Sequence, residues 1–114
     1  MANNVRFQPM GLSVRLDAIT ASSTEVSVNA LTPCNQIRVH NGANPIAIRF
    51  SATTGQAAAF PTAGSPEYGM VMHQNATEIF TVPQAAISAQ ATLYVSAIST
   101  SGGSTVYLTP GEGL

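Results

Sequence analysis

Residues 36–51 read QIRVHNGANPIAIRFS. Ile37 and Val39 alternate with Gln36, Arg38 and His40, and Ile46, Ile48 and Phe50 alternate with Ala47, Arg49 and Ser51. A period of two over five or six residues is the signature of a half-buried strand. Between the two runs lies Asn41-Gly42-Ala43-Asn44, whose Asn and Gly tolerate φ > 0, and Pro45 fits a strand start or an edge. The stretch therefore predicts two strands joined as a β-hairpin.

The same period recurs on both sides. Leu12, Val14 and Leu16 alternate with polar residues, as do Val26 and Val28 within residues 25–29. Residues 67–73 place Tyr68, Met70 and Met72 on one side and Val71 on the other, and residues 77–82, TEIFTV, are also apolar on both sides. Such strands can be covered twice, by their own core and by a second subunit. Asn75-Ala76 turns the chain between them. Residues 91–98 and 105–109 form the last pair of strands around a hairpin loop at 99–104, STSGGS, which would let Tyr94 and Tyr107 meet across the strands. Only residues 84–90, QAAISAQ, suit a helix, and they are too few for more than a turn or two.

About eight short strands at close spacing predict an all-β fold, an antiparallel β-sandwich of jelly-roll or immunoglobulin-like type, with a small barrel as the alternative. At 114 residues this is one domain. Residues 1–11 read as an extended N-terminal arm, 12–109 as the sandwich, and 110–114 as a C-terminal tail. Residues 52–66, ATTGQAAAFPTAGSP, read as a long loop, with a brief strand at 57–60 as an option. Phe60 is its single large apolar group, and it either plugs the end of the core or anchors a partner.

Composition narrows the function. Charged residues make up 8% of the chain, against about 25% in ordinary domains. Four arginines, five acids, no lysine and a formal net charge of -1 offer no basic patch to a phosphate backbone or an anionic membrane, so nucleic acid and membrane are not expected partners. The start, MANNVRFQPMG, has no basic segment followed by an apolar one, and no apolar run approaches the roughly 18 residues of a bilayer span. A surface of Ser, Thr, Asn, Gln, Ala and Gly lacks the charges that keep free proteins apart and blunt exposed strand edges. Coverage by copies of the chain or by a larger partner is the expectation. Phe7, Arg15, Arg38, Arg49, Phe60, Tyr94 and Tyr107 are the interface candidates, because aromatic residues and arginine are enriched at interfaces. Equally open for the three mid-strand arginines is cross-strand pairing within one chain.

No catalytic constellation emerges. Asp17, Glu25, Glu67, Glu78, Glu112, His40 and His73 show neither a carboxylate pair nor ligand spacing, and no nucleophile elbow, phosphate loop or dinucleotide fingerprint occurs. Cys34 is the single cysteine, so neither a disulfide nor a cysteine metal site forms within one chain. Neither an enzymatic activity, a cofactor nor a metal is expected.

Two segments carry a resemblance. The Asn41-Gly42 loop followed by Pro45, Ile46, Ile48, Arg49 and Phe50, together with Thr109 to Gly113 (TPGEG), resembles a group of small tailed-bacteriophage structural proteins. The resemblance runs over most of the chain from Gln36 onward, and its motifs are structural. It implies a virion protein, assembled in the host cytoplasm, that acts as a cement or decoration protein on the outside of a capsid, with the major capsid protein or another virion protein as partner; a homodimer or homotrimer is the expected state of the chain. A tail, fibre or head-to-tail component of the same particle is the alternative. A carbohydrate-binding sandwich, with Tyr68, Tyr94 and Tyr107 as an aromatic platform, is a third.

Overall fold

The computed structural model describes residues 8–9, 12–28, 35–82 and 92–112. Phe7, Cys34, the 84–90 stretch, most of the N-terminal arm and the last two residues lie outside them. Nine strands follow one another: β1 (Gln8–Pro9), β2 (Val14–Ala18), β3 (Thr24–Val28), β4 (Gln36–Asn41), β5 (Ile46–Ser51), β6 (Met70–Met72), β7 (Thr77–Thr81), β8 (Leu93–Ser99) and β9 (Ser104–Glu112). They form two antiparallel sheets, with no helix among the described residues. In the first sheet β4 lies between β9 and β7, and the far side of β9 takes β2 along residues 104–108 and β1 at 111–112. The second sheet has the order β3-β8-β5-β6.

Between the sheets the inward halves of the alternating patterns meet. Leu16, Ile37, Val39, Val106 and Leu108 from the first sheet and Val28, Ile46, Ile48, Met72, Leu93 and Val95 from the second are buried in one cluster. Each large side chain so removed from water contributes about 1.5–3 kcal/mol. Phe50 and Phe80 close the core from opposite sheets with ring centroids 5.4 Å apart. Phe60, which the sequence offered as a core plug, is half-buried in its loop and does not pack on this cluster.

Neither expected hairpin forms. β4 pairs with β9 and β7, whereas β5 pairs with β8 and β6, so residues 42–45 carry the chain from one sheet to the other as an arch. The same holds for β8 and β9 around residues 100–103, which places Tyr94 and Tyr107 on opposite outer faces instead of side by side. From β2 to β9 every connection except β5 to β6 changes sheet. Asn41 explains why the 42–45 turn crosses. Its buried carboxamide donates to the carbonyls of Asn44 and His73 at 2.9 and 2.8 Å and accepts from the Ser104 hydroxyl at 2.7 Å, tying three arches together. Gly42 lies so close to β9 that an added Cβ would stand 2.8 Å from the Thr105 carbonyl oxygen. Asn44 completes the knot by donating to the Gly103 carbonyl at 2.6 Å.

The chain end also differs from the expected tail. β9 runs through Glu112, with Pro110 and Gly111 buried opposite Ile37 and Gln36. Pro110, which has no N–H for a ladder, sits where the flanking strand changes from β2 to β1. Gln8–Pro9 forms the short edge strand there, and Asn75 makes the β6–β7 turn with φ of 58°. The optional strand at 57–60 is absent; this loop holds only an isolated bridge between Thr62 and Ser65.

Candidate functional site

The sequence-predicted residues divide between the two outer faces of the sandwich. On the first sheet, inward Ile37 and Val39 force Gln36, Arg38 and His40 outward, and the same alternation turns out Thr105, Tyr107 and Thr109 from β9. Register then aligns Arg15, Tyr107, His40 and Thr77 in one row, and Thr109, Arg38 and Ile79 in the next. Three of the interface candidates, Arg15, Arg38 and Tyr107, therefore share one face. Arg15 donates from Nε to Asp17 Oδ1 at 2.8 Å, and this bond and the Asp17 charge raise its already high pKa further. Both groups are well exposed, so the pair orients the guanidinium more than it stabilises the fold. His40 Nδ1 lies 2.6 Å from the Thr77 hydroxyl. Arg38 is exposed and has no hydrogen-bond or ion-pair partner among the described residues. Ile79, beside it, is 48% exposed, and Tyr107 is 46% exposed.

The second sheet is treated differently. Residues 52–69 connect β5 to β6 and lie across its outer face. Arg49 holds this loop with Nη1 on the Ala57 carbonyl at 3.1 Å and Nη2 on Gln56 Oε1 at 3.0 Å, while its guanidinium carbon stands 4.2 Å from the centre of the Tyr68 ring. Ser96 donates to the Gln56 carbonyl at 2.6 Å, and the Ala58 amide donates to Ser23 at 3.0 Å. Glu25 accepts from the Thr54 hydroxyl on one oxygen and from the Gly55 amide on the other. As a result Ala47 and Ser96, which point out of the sandwich, are buried. Arg49 thus follows the within-chain reading of the arginines, and Tyr94 on the same face is half-buried.

A groove of about 170 Å³ runs along the seam of loop and sheet, lined by Ser23, Glu25, Gly55, Gln56, Ala57 and Ser96. Each of these residues except Gly55 and Ala57 contributes a side chain that fastens the loop, and those two contribute backbone groups. Among the described residues no three of His, Cys, Asp and Glu gather as a metal site. Tyr107 is on the first sheet, Tyr94 on the second, and Tyr68 is stacked by Arg49 in the loop, so the three tyrosines do not share a platform.

Sequence reasoning placed His40 on the outward side of its strand but did not single out Ile79 as a member of this face. The signal for Ile79 was present in the adjacent apolar pair Ile79-Phe80, of which a strand can bury only one on a given side. Comparison with protein-family models, with characterised proteins and with solved structures finds no match.

Proposed function

We propose that the chain is a structural virion protein that binds and stabilises a bacteriophage capsid as a cement or decoration protein, without enzymatic activity. The observation that carries the reading is the asymmetry of the outer faces. One is already occupied by the chain's own loop, while the other leaves Arg38, Tyr107 and Ile79 exposed, with His40 half-buried among them and one ion pair. Arginine and aromatic groups with few competing charges are what a protein–protein contact uses. On a capsid lattice, many copies of a modest contact multiply by symmetry, so no single deep pocket is required. The resemblance of the Asn41 to Phe50 segment and of the Thr109 to Gly113 segment to small phage structural proteins supports the major capsid protein, or another virion protein, as that partner.

We further infer that the sandwich is of the jelly-roll type. Two four-stranded sheets, β2-β9-β4-β7 and β3-β8-β5-β6, with sheet changes at all connections but one, support two interlocked Greek keys.

A mass-spectrometric inventory of purified particles with copy number tests the capsid reading. A lattice-wide count, together with binding of the purified chain to bare capsids, is expected. A low fixed count at the particle axis would reassign it to the tail, and absence from the particle would overturn the proposal. Deleting residues 1–9 in the capsid-binding assay asks separately whether the N-terminal arm grips the neighbour: weakened binding is expected, and unchanged occupancy would remove the arm from the mechanism.

A further inference from the structure

The free edge of the first sheet carries an inference that stands apart from the capsid reading. In the β4–β7 ladder the Asn41 amide donates to the Ala76 carbonyl at 2.8 Å, and the Val82 amide donates to the Asn35 carbonyl at 2.9 Å. Both pairs keep the register that matches Val39 with Glu78 and Ile37 with Phe80. In an antiparallel ladder the residues of one parity bond to the neighbour and those of the other parity point away. The N–H and C=O groups of Thr77, Ile79 and Thr81 therefore face outward from the sheet, and among the described residues no strand pairs with β7 on that side.

We propose that β7 pairs antiparallel with β7 of a second copy of this chain about a two-fold axis at Ile79, joining two first sheets into one continuous sheet. The pairing satisfies all six outward groups. Ile79 exchanges both bonds with Ile79 of the second copy, and Thr77 exchanges both with Thr81, twice by symmetry. Side chains select this register. On the outer face Ile79, 48% exposed in the single chain, meets Ile79 and loses part of that exposure, and Thr77 meets Thr81. On the other side Glu78 comes opposite Phe80, so the two carboxylates do not face each other; an axis at Glu78 would set them together. The strand has no Lys, Arg, Pro or Gly in Thr77–Thr81, and its single guarding charge, Glu78, is set opposite Phe80 by this register. Self-pairing through one edge is an isologous contact and closes as a dimer.

The test uses the purified full chain, isotope-labelled, from about 10 μM to about 1 mM, the range in which an interface of this small size dissociates. Sedimentation is expected to show a monomer–dimer equilibrium. Over the same range the amides of Thr77, Ile79 and Thr81 are expected to gain protection from hydrogen exchange, while those of Glu78 and Phe80 remain protected throughout. Ile79→Lys places like charges opposite each other, and Ile79→Pro removes an outward N–H without touching the β4 ladder. Either is expected to weaken dimerisation at least about tenfold with the monomer still folded. A monomer at every concentration would overturn the proposal, as would a dimer that persists in both variants or protection of the three amides in the monomer. Because none of these readouts involves a capsid, a failure here leaves the capsid reading standing, and a dimer that binds no capsid leaves this one standing.

Discussion

Arg38 and Arg49 occupy equivalent places on the two halves of the sandwich, each at mid-strand and each pointing away from the core. Arg49 is used up within the chain, between two bonds to the 52–69 loop and the Tyr68 ring, and the face around it is sealed to the point of burying Ser96. Arg38 looks out from a sheet that no described residue covers, beside Ile79 and Thr109. The same residue type serves internal cohesion on one face and is left available on the other. What separates them is the length of one connection: 18 residues join β5 to β6, enough to fold back over a sheet, whereas four join β4 to β5.

That contrast can be broken in graded steps. Asn41→Ala acts on neither face alone, since it removes the knot that ties the arches of both sheets and leaves the Asn44 and His73 carbonyls without their donor. It is expected to cost about 3 kcal/mol, the largest loss of the set, read as a shift of the denaturant midpoint at unchanged slope. Gly69→Ala is expected to come next at about 2 kcal/mol, because its Cβ would run into the Ala59 carbonyl and also crowd Ala47, prising the loop from the second sheet. Chymotrypsin should then cut faster after Tyr68; Phe60 precedes Pro61 and is not a cleavage site.

Arg49→Met leaves the loop its other anchors and is expected to cost about 1 kcal/mol. Hydrogen exchange sharpens this case: the Ala58 and Ala59 amides, bound to Ser23 and the Tyr68 carbonyl, should open faster while core amides of β4 and β9 stay unchanged. Smallest of all for stability are Arg38→Glu and Tyr107→Ser, each expected within about 0.5 kcal/mol of the parent. On the proposed function these two should nonetheless lower capsid binding, whereas Arg49→Met should not. If Arg38→Glu destabilised the fold as much as Arg49→Met, the first face would be serving cohesion after all.

Much of the strand content was legible because a period of two survives in any half-buried strand. Val14 to Leu16, Gln36 to His40 and Ile46 to Ser51 were readable this way, whereas Leu12, expected inward, precedes β2 and is exposed; Arg15, Arg38 and Tyr107 were placed outward for the same reason. The pairing was not legible. An arch and a hairpin both send Ile37 and Ile48 into a core, and Asn-Gly serves either turn, so alternation records which way a side chain faces without recording which sheet its strand joins. Likewise Ala47 and Ser96 carry no mark of burial, because what covers them is a loop whose path depends on bonds to Glu25, Ser23 and Ser96, remote in the chain.

From its own residues, then, this chain was bound to make short antiparallel strands with an apolar side and an ion-poor polar side, because the spacing of β-branched and small polar groups permits little else. Which outer side stays open was settled only in three dimensions. The Asn41 carboxamide links arches that are distant in sequence, and the 52–69 loop finds donors and acceptors on one sheet, so among the described residues the outer face of the other sheet stays uncovered.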